Sequence, residues 1–237
     1  MIYRILLVFS LFIFTSFTNK KTNTNATYAF VTVSSDVKKE ATEESVYNSL
    51  DANSFDMPTM ECFVKGLKGF NRLKEMGKVN KEFLTIVDYS LPSTVKRLWI
   101  IDTKQNKIIL NSLVAHGKNS GENFATSFSN KSESNKSSLG FFITGETYIG
   151  KHGLSLKLDG LENGINDMAR TRAIVMHAAD YVSEAFAKVH HRLGLSHGCP
   201  ALPPSLNNKI IATIKGKSCL FIYHPSMIDN TTSKFVA

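Results

Sequence analysis

RAIVMHAADYVSEAFAKVHHRLGLSHGCPALP, residues 172–203, carries an apolar run, a histidine at its end, a short amphipathic segment and a Ser-His-Gly-Cys turn. Arg172 to Met176 reads as a buried strand, with His177 emerging from its end. Val182 to Val189 reads as a short helix that returns the chain to Ser196. Gly198, beside Cys199, allows a sharp turn and a close approach of backbone to substrate. Pro200 keeps Cys199 out of the helical region, so the thiol is placed on an extended segment. Proline also has no N–H, so an oxyanion hole at this turn would draw on the amides of His197, Gly198 and Cys199.

A thiol becomes a nucleophile when a base or an electropositive setting brings it to the thiolate. His177 and His197 are the two candidates for the base. A histidine on the same loop as the thiol generally points elsewhere, whereas one at the end of a core strand is held rigidly. His177 is therefore assigned the base, with His197 shaping the pocket. The plainer reading of His177, a core histidine with its polar atoms satisfied, stands beside that assignment.

Outward from this stretch the pattern is mostly β. Pro203-Pro204-Ser205 opens a helix from about Leu206 to Ile214, closed by Gly216, and Cys219 to Tyr223 forms a last strand. Upstream, Phe83–Tyr89, Val95–Asp102, Lys107–Ala115, Leu139–Thr144 and Leu154–Leu158 read as strands, and Thr103–Asn106 as a hairpin turn. Residues 119–138, rich in Ser and Asn, read as a polar surface loop. Met60, Phe63, Leu67, Phe70 and Leu73 recur at helical steps, giving a helix that Gly77 stops and whose apolar stripe must pack on the next domain. The expected layout is a leader at 1–26, a flexible tether at 27–55, a packed helix at 56–80, a mostly β catalytic domain at 81–225 and a loose tail at 226–237.

The leader has Arg4 followed by an apolar stretch from Ile5 to Phe17, shorter than the roughly 18–20 residues of a membrane span. It reads as an export signal, with an uncleaved anchor as the alternative. No cysteine follows it to accept a lipid. Export places the chain where two of its three cysteines can pair, and Cys62 and Cys219 both read as buried small hydrophobes. Three cysteines in 237 residues exclude a disulfide scaffold, and no other apolar run is long enough to span a membrane. The net charge of +8 favours a polyanion, whether nucleic acid, an anionic membrane face or an acidic cell-wall polymer.

Specific modules narrow that choice. No nucleic-acid-binding module and no Walker or dinucleotide loop is present; Gly160-Leu161-Glu162-Asn163-Gly164 lacks the glycine spacing. His152, His177, His197 and Cys199 are zinc-type residues without the tight paired spacing of a zinc site. Cys199 has no second cysteine nearby for redox work. Neither metal nor cofactor is expected.

The strand-end histidine and the Ser196-His197-Gly198-Cys199 turn together resemble the murein L,D-transpeptidases with the YkuD-type catalytic domain. Ser138-Leu139-Gly140-Phe141-Phe142-Ile143 is similar to the family's Pro-x-Gly-x-Phe strand, with serine in place of proline. Val114–Gly121, Gly150-Lys151-His152-Gly153 and Cys199-Pro200-Ala201 are similar to the catalytic-domain-like branch. The resemblance covers about residues 57–225 and implies an L,D-transpeptidase-like β-sandwich or barrel with a few short helices. It implies that Cys199 attacks the carbonyl of the third stem-peptide residue and releases the terminal D-alanine, with His177 as base. The carbonyl of Ala178 would orient the imidazole, and Ser196, His197 and Gly198 would form the oxyanion and pocket wall. The partner it implies is the peptide stem of peptidoglycan, with an amine acceptor for cross-linking or water for carboxypeptidase action. A non-catalytic peptidoglycan-binding module is the competing reading. One departure is plain: common members carry an arginine shortly after the cysteine, where this chain has Pro200 and Ala201. Arg170, Arg172 and Arg192 are the candidates to hold a substrate carboxylate instead, against the plainer reading of each as surface charge. Tyr148 and His152 are candidates to line the cleft.

Overall fold

The computed structural model describes residues 41–227 and 233–235, and the leader read at 1–26 lies outside the described residues. Period-two alternation decides the architecture. Along β1 (Phe83–Asp88) and β8 (Cys219–Tyr223), apolar side chains go alternately to two different layers, and both layers are buried. Leu84, Ile86, Cys219 and Phe221 meet one cluster, while Val87, Leu220 and Ile222 meet the other. A strand that is apolar on both faces needs cover on both faces.

Two helices supply it. In α2 (Met60–Glu75), Cys62, Phe63, Leu67, Phe70 and Leu73 form the buried stripe against the first layer. The approach is close because glycines face the sheet: a Cβ on Gly66 would sit 3.1 Å from Phe221, and one on Gly69 would overlap the Phe141 ring. In α4 (Pro204–Ile214), which follows the short α3 (Glu184–His190), Ile210, Ile211 and Ile214 cover the second layer. Pro204 occupies its first turn, where the missing N–H costs nothing.

The strands form one sheet of eight in the order β3-β2-β1-β8-β4-β5-β6-β7. The remaining members are β2 (Leu98–Asp102), β3 (Lys107–Ser112), β4 (Gly140–Gly150), β5 (Gly153–Gly160), β6 (Val175–Ala178) and β7 (Ala201–Leu202). Among the described strands only β1–β8 and β6–β7 pair in parallel. Beyond β3 the chain bends back, so that Ala115 bridges Ala201 and Gly117 bridges Ser196. The sheet thus curls until the extension of one edge meets the other, at the Ser196–Cys199 turn. This is the mostly β, few-helix fold expected from the sequence.

Three segments differ from the reading. The stretch taken as a flexible tether contains α1 (Glu43–Asn48), capped by the Thr42 hydroxyl, with Tyr47 edge-on to Phe63 at 5.3 Å and Leu50 buried. Its composition is polar because only one side of so short a helix touches the core. In the tail, taken as loose, Phe235 is buried edge-on to Phe141. The polar 119–138 stretch has no strand or helix, yet Ser120, Ala125, Ser137 and Ser138 within it are buried. Hydroxyls there replace apolar packing with hydrogen bonds. Among the described residues no helix is long and apolar enough to cross a membrane.

Candidate active site

A cleft of about 540 Å³ opens between the end of β6, the Ser196–Cys199 turn and the tip of the β4–β5 hairpin. Cys199, His177, His197, Ser196, Tyr148 and His152 all line it. The β6–β7 register brings the first two together: His177 pairs with Ala201, just beyond Cys199 on the strand that the turn feeds.

His177 is buried, and its Nδ1 lies 2.9 Å from the carbonyl oxygen of Ala178. A carbonyl only accepts, so Nδ1 carries the proton and Nε2 is left as a free acceptor. Burial pushes the imidazole pKa below its ordinary value; the Ala178 carbonyl opposes this, and His152 and Lys151 reinforce it. The His152 ring stacks on His177 with centroids 4.5 Å apart. The half-buried thiol of Cys199 accepts the Val175 N–H at 3.5 Å and lies 3.8 Å from the carbonyl of Ala173. Burial raises its pKa, against lowering by the Val175 amide and Arg172. Both shifts favour the neutral thiol and the neutral imidazole.

The turn is fixed from within. Ser196 Oγ donates to the Cys199 carbonyl at 2.6 Å and accepts the Gly198 N–H at 3.0 Å. That second bond corrects the expected donor set: the Gly198 amide is used inside the turn, which leaves those of His197 and Cys199 without an acceptor among the described residues. Gly198 has φ +122, and a Cβ there would lie 2.8 Å from the carbonyl oxygen of Lys136. Only glycine suits that position. The Ser137 hydroxyl donates to the Gly198 carbonyl at 3.2 Å and accepts from Gly117 N–H, while Ser120 accepts from Ser137 N–H. Behind these, the buried Arg97 donates to Nδ1 of His116 at 2.8 Å, and the His116 carbonyl accepts from Ser196 N–H.

A sequence profile of the L,D-transpeptidase catalytic domain matches residues 56–223. The chain belongs to this family. Among solved structures, an L,D-transpeptidase from Mycobacterium smegmatis is similar at 11% identity over 60% of this chain and 59% of that one, with a TM-score of 0.37. One from Stackebrandtia nassauensis is 14% identical over 78% and 90%, with a TM-score of 0.37. One from Xylanimonas cellulosilytica is 9% identical over 76% and 90%, with a TM-score of 0.35. The chain spans about half to three fifths of the length of several structures it matches. No curated protein matches it.

Within this L,D-transpeptidase domain the arginine candidates do not line the cleft. Arg172 is half-buried rather than a solvated surface charge, and it donates to Ser129 O, Lys136 O, Ser138 Oγ and Ser134 Oγ. Its guanidinium is consumed in holding the 129–138 loop against the Gly198 turn. A role in gripping substrate, considered for it above, is thereby corrected. Arg170 pairs with Asp159 and Glu146, and Arg192 with Glu122. Sequence reasoning missed Ala173, Tyr181 and Leu195 as cleft residues. Ala173 has φ +55, an uncommon conformation for a residue with a Cβ, and nothing in its identity announces this. Gly194 packs on Tyr181, where a Cβ would overlap that side chain, a contact that nothing in the sequence around it announces. Among the described residues no group of three His, Cys, Asp or Glu side chains gathers as metal ligands.

Proposed function

We propose that the chain is an exported, cysteine-dependent L,D-transpeptidase acting on peptidoglycan stem peptides through a thioester. The observation that supports this best is that His177, its Nδ1 committed to the Ala178 carbonyl, lines the same cleft as the Cys199 thiol. Nε2 takes the thiol proton as sulfur attacks the carbonyl carbon that precedes the terminal D-amino acid. The oxygen becomes an oxyanion held by the unpartnered amides of His197 and Cys199. The C–N bond breaks, and the imidazolium returns its proton to the departing amine. An acceptor amine then attacks the thioester, loses a proton to His177, and forms a new amide as the C–S bond breaks. The sulfur recovers that proton. The Ala178 carbonyl stabilises the imidazolium at each stage, in the place a carboxylate takes in a serine-hydrolase triad.

Products formed from disaccharide-tetrapeptide test this reading. Wild type is expected to give a cross-linked dimer lacking one D-alanine, Cys199→Ala none, and His177→Gln a rate lower by roughly 10² to 10⁴. Tripeptide without dimer would reassign the second step to water, giving a carboxypeptidase of the same first half. Undiminished turnover in Cys199→Ala would overturn the mechanism. Binding without turnover in folded, reduced wild type would favour a wall-binding module.

A further inference from the structure

Resting on that function, we propose that Lys151 is the cation that grips a carboxylate of the acyl donor. The cleft wall carries cationic and neutral groups and no acidic side chain, so an anionic ligand is the one it suits. Four of the nearby cations are already committed. Arg172 is bonded to four acceptors of the 129–138 loop, Arg170 and Arg192 are in ion pairs, and Lys136 donates to Ser127 Oγ at 2.6 Å. Lys151 is different: it lines the cleft, is exposed, and has no ion-pair or hydrogen-bond partner among the described residues.

Its position is set by the scaffold. Gly150 pairs with Gly153 at the end of the β4–β5 ladder, so Lys151 and His152 form the tip of that hairpin. The His152 ring lies on His177, which seats the tip over the proposed base. An ammonium at this tip is close enough to act electrostatically on the His177 imidazole. A donor carboxylate beside it is thereby fixed relative to the thiol, and a flexible ammonium needs no bidentate geometry to hold it. The absence of an arginine after Cys199 is answered from across the cleft.

Binding separates this inference from the function it rests on. The Cys199→Ala protein, unable to turn over, is titrated calorimetrically with disaccharide-tetrapeptide, beside the same protein carrying Lys151→Ala, Lys151→Arg, or Lys104→Glu as a remote charge control. Lys151→Ala is expected to raise Kd about tenfold, the low end for a charge-assisted contact because the site is exposed. Lys151→Arg keeps most of the affinity, and Lys104→Glu stays within about twofold of the parent. A donor amidated at the gripped carboxylate binds the parent and Lys151→Ala alike, which names that carboxylate. An unchanged Kd in Lys151→Ala overturns the Lys151 assignment alone. No binding by the parent overturns the substrate assignment and this inference with it.

Discussion

At the scale of the residue, the proposed mechanism has the Cys199–His177 pair transfer its proton during reaction rather than before it. Burial lowers the His177 pKa from its ordinary 6.5 and raises that of the Cys199 thiol from 9.0. Both shifts disfavour the ion pair. Alkylation of Cys199 by iodoacetamide, followed site by site in digests, should therefore stay slow at neutral pH and rise with a midpoint above 9.0. kcat/KM should be flat near neutrality and fall on the acid side, below pH 6.5, as protonation of His177 removes the acceptor. Fast alkylation persisting to pH 5 would reveal a preformed thiolate–imidazolium pair and contradict this. The strand-end placing of His177, the extended setting of Cys199 and the glycine at φ +122 were legible because proline and glycine constrain the backbone around them. The used amide of Gly198 was not, since it depends on which way the Ser196 hydroxyl turns.

At the scale of the element, helix α2 and the sheet are joined through glycine. A Cβ on Gly69 would fall 2.0 Å from the Phe141 ring, which is itself stacked on Phe221 at 4.3 Å and touched by Phe235. The ring has nowhere to go. Gly69→Ala gains about 1 kcal/mol of helix propensity and, with the ring unable to move, loses about 2–3 kcal/mol to overpacking, so a net loss of about 1–2 kcal/mol is expected in urea unfolding. A variant at least as stable as the parent would mean that helix and sheet sit further apart. The helical spacing of Phe63, Leu67, Phe70 and Leu73 announced that α2 packs on something; which glycines it uses is a property of the contact, invisible in periodicity. Strand β8 has the bounds its apolar run suggested. Strand β4 runs on to Gly150, past the expected end at Thr144, because pairing with β5 continues after its side chains leave the core. The run read as a strand from Arg172 begins as a turn: Ala173 and Ile174 accompany β6 without belonging to it, and the αL conformation of Ala173 separates the two.

At the scale of the whole molecule, curling of the eight-stranded sheet joins segments far apart in sequence at one point. Gly117, Ser137, His177 and Ser196 all converge on the Gly198 turn or its pairing partners. That convergence is why the 119–138 stretch looked like surface loop in the sequence: its serines are spent on the back of the candidate site, not on solvent. The net charge of +8 has a local counterpart in a cleft without acidic side chains, which suits a substrate rich in carboxylates. Acylation of Cys199 is read out by intact-protein mass spectrometry after mixing with disaccharide-tetrapeptide, with the adduct located by digestion. A mass increase equal to the donor less its terminal D-alanine is expected, carried on Cys199 and absent from Cys199→Ala. An adduct on another residue, or one that survives in Cys199→Ala, would contradict it.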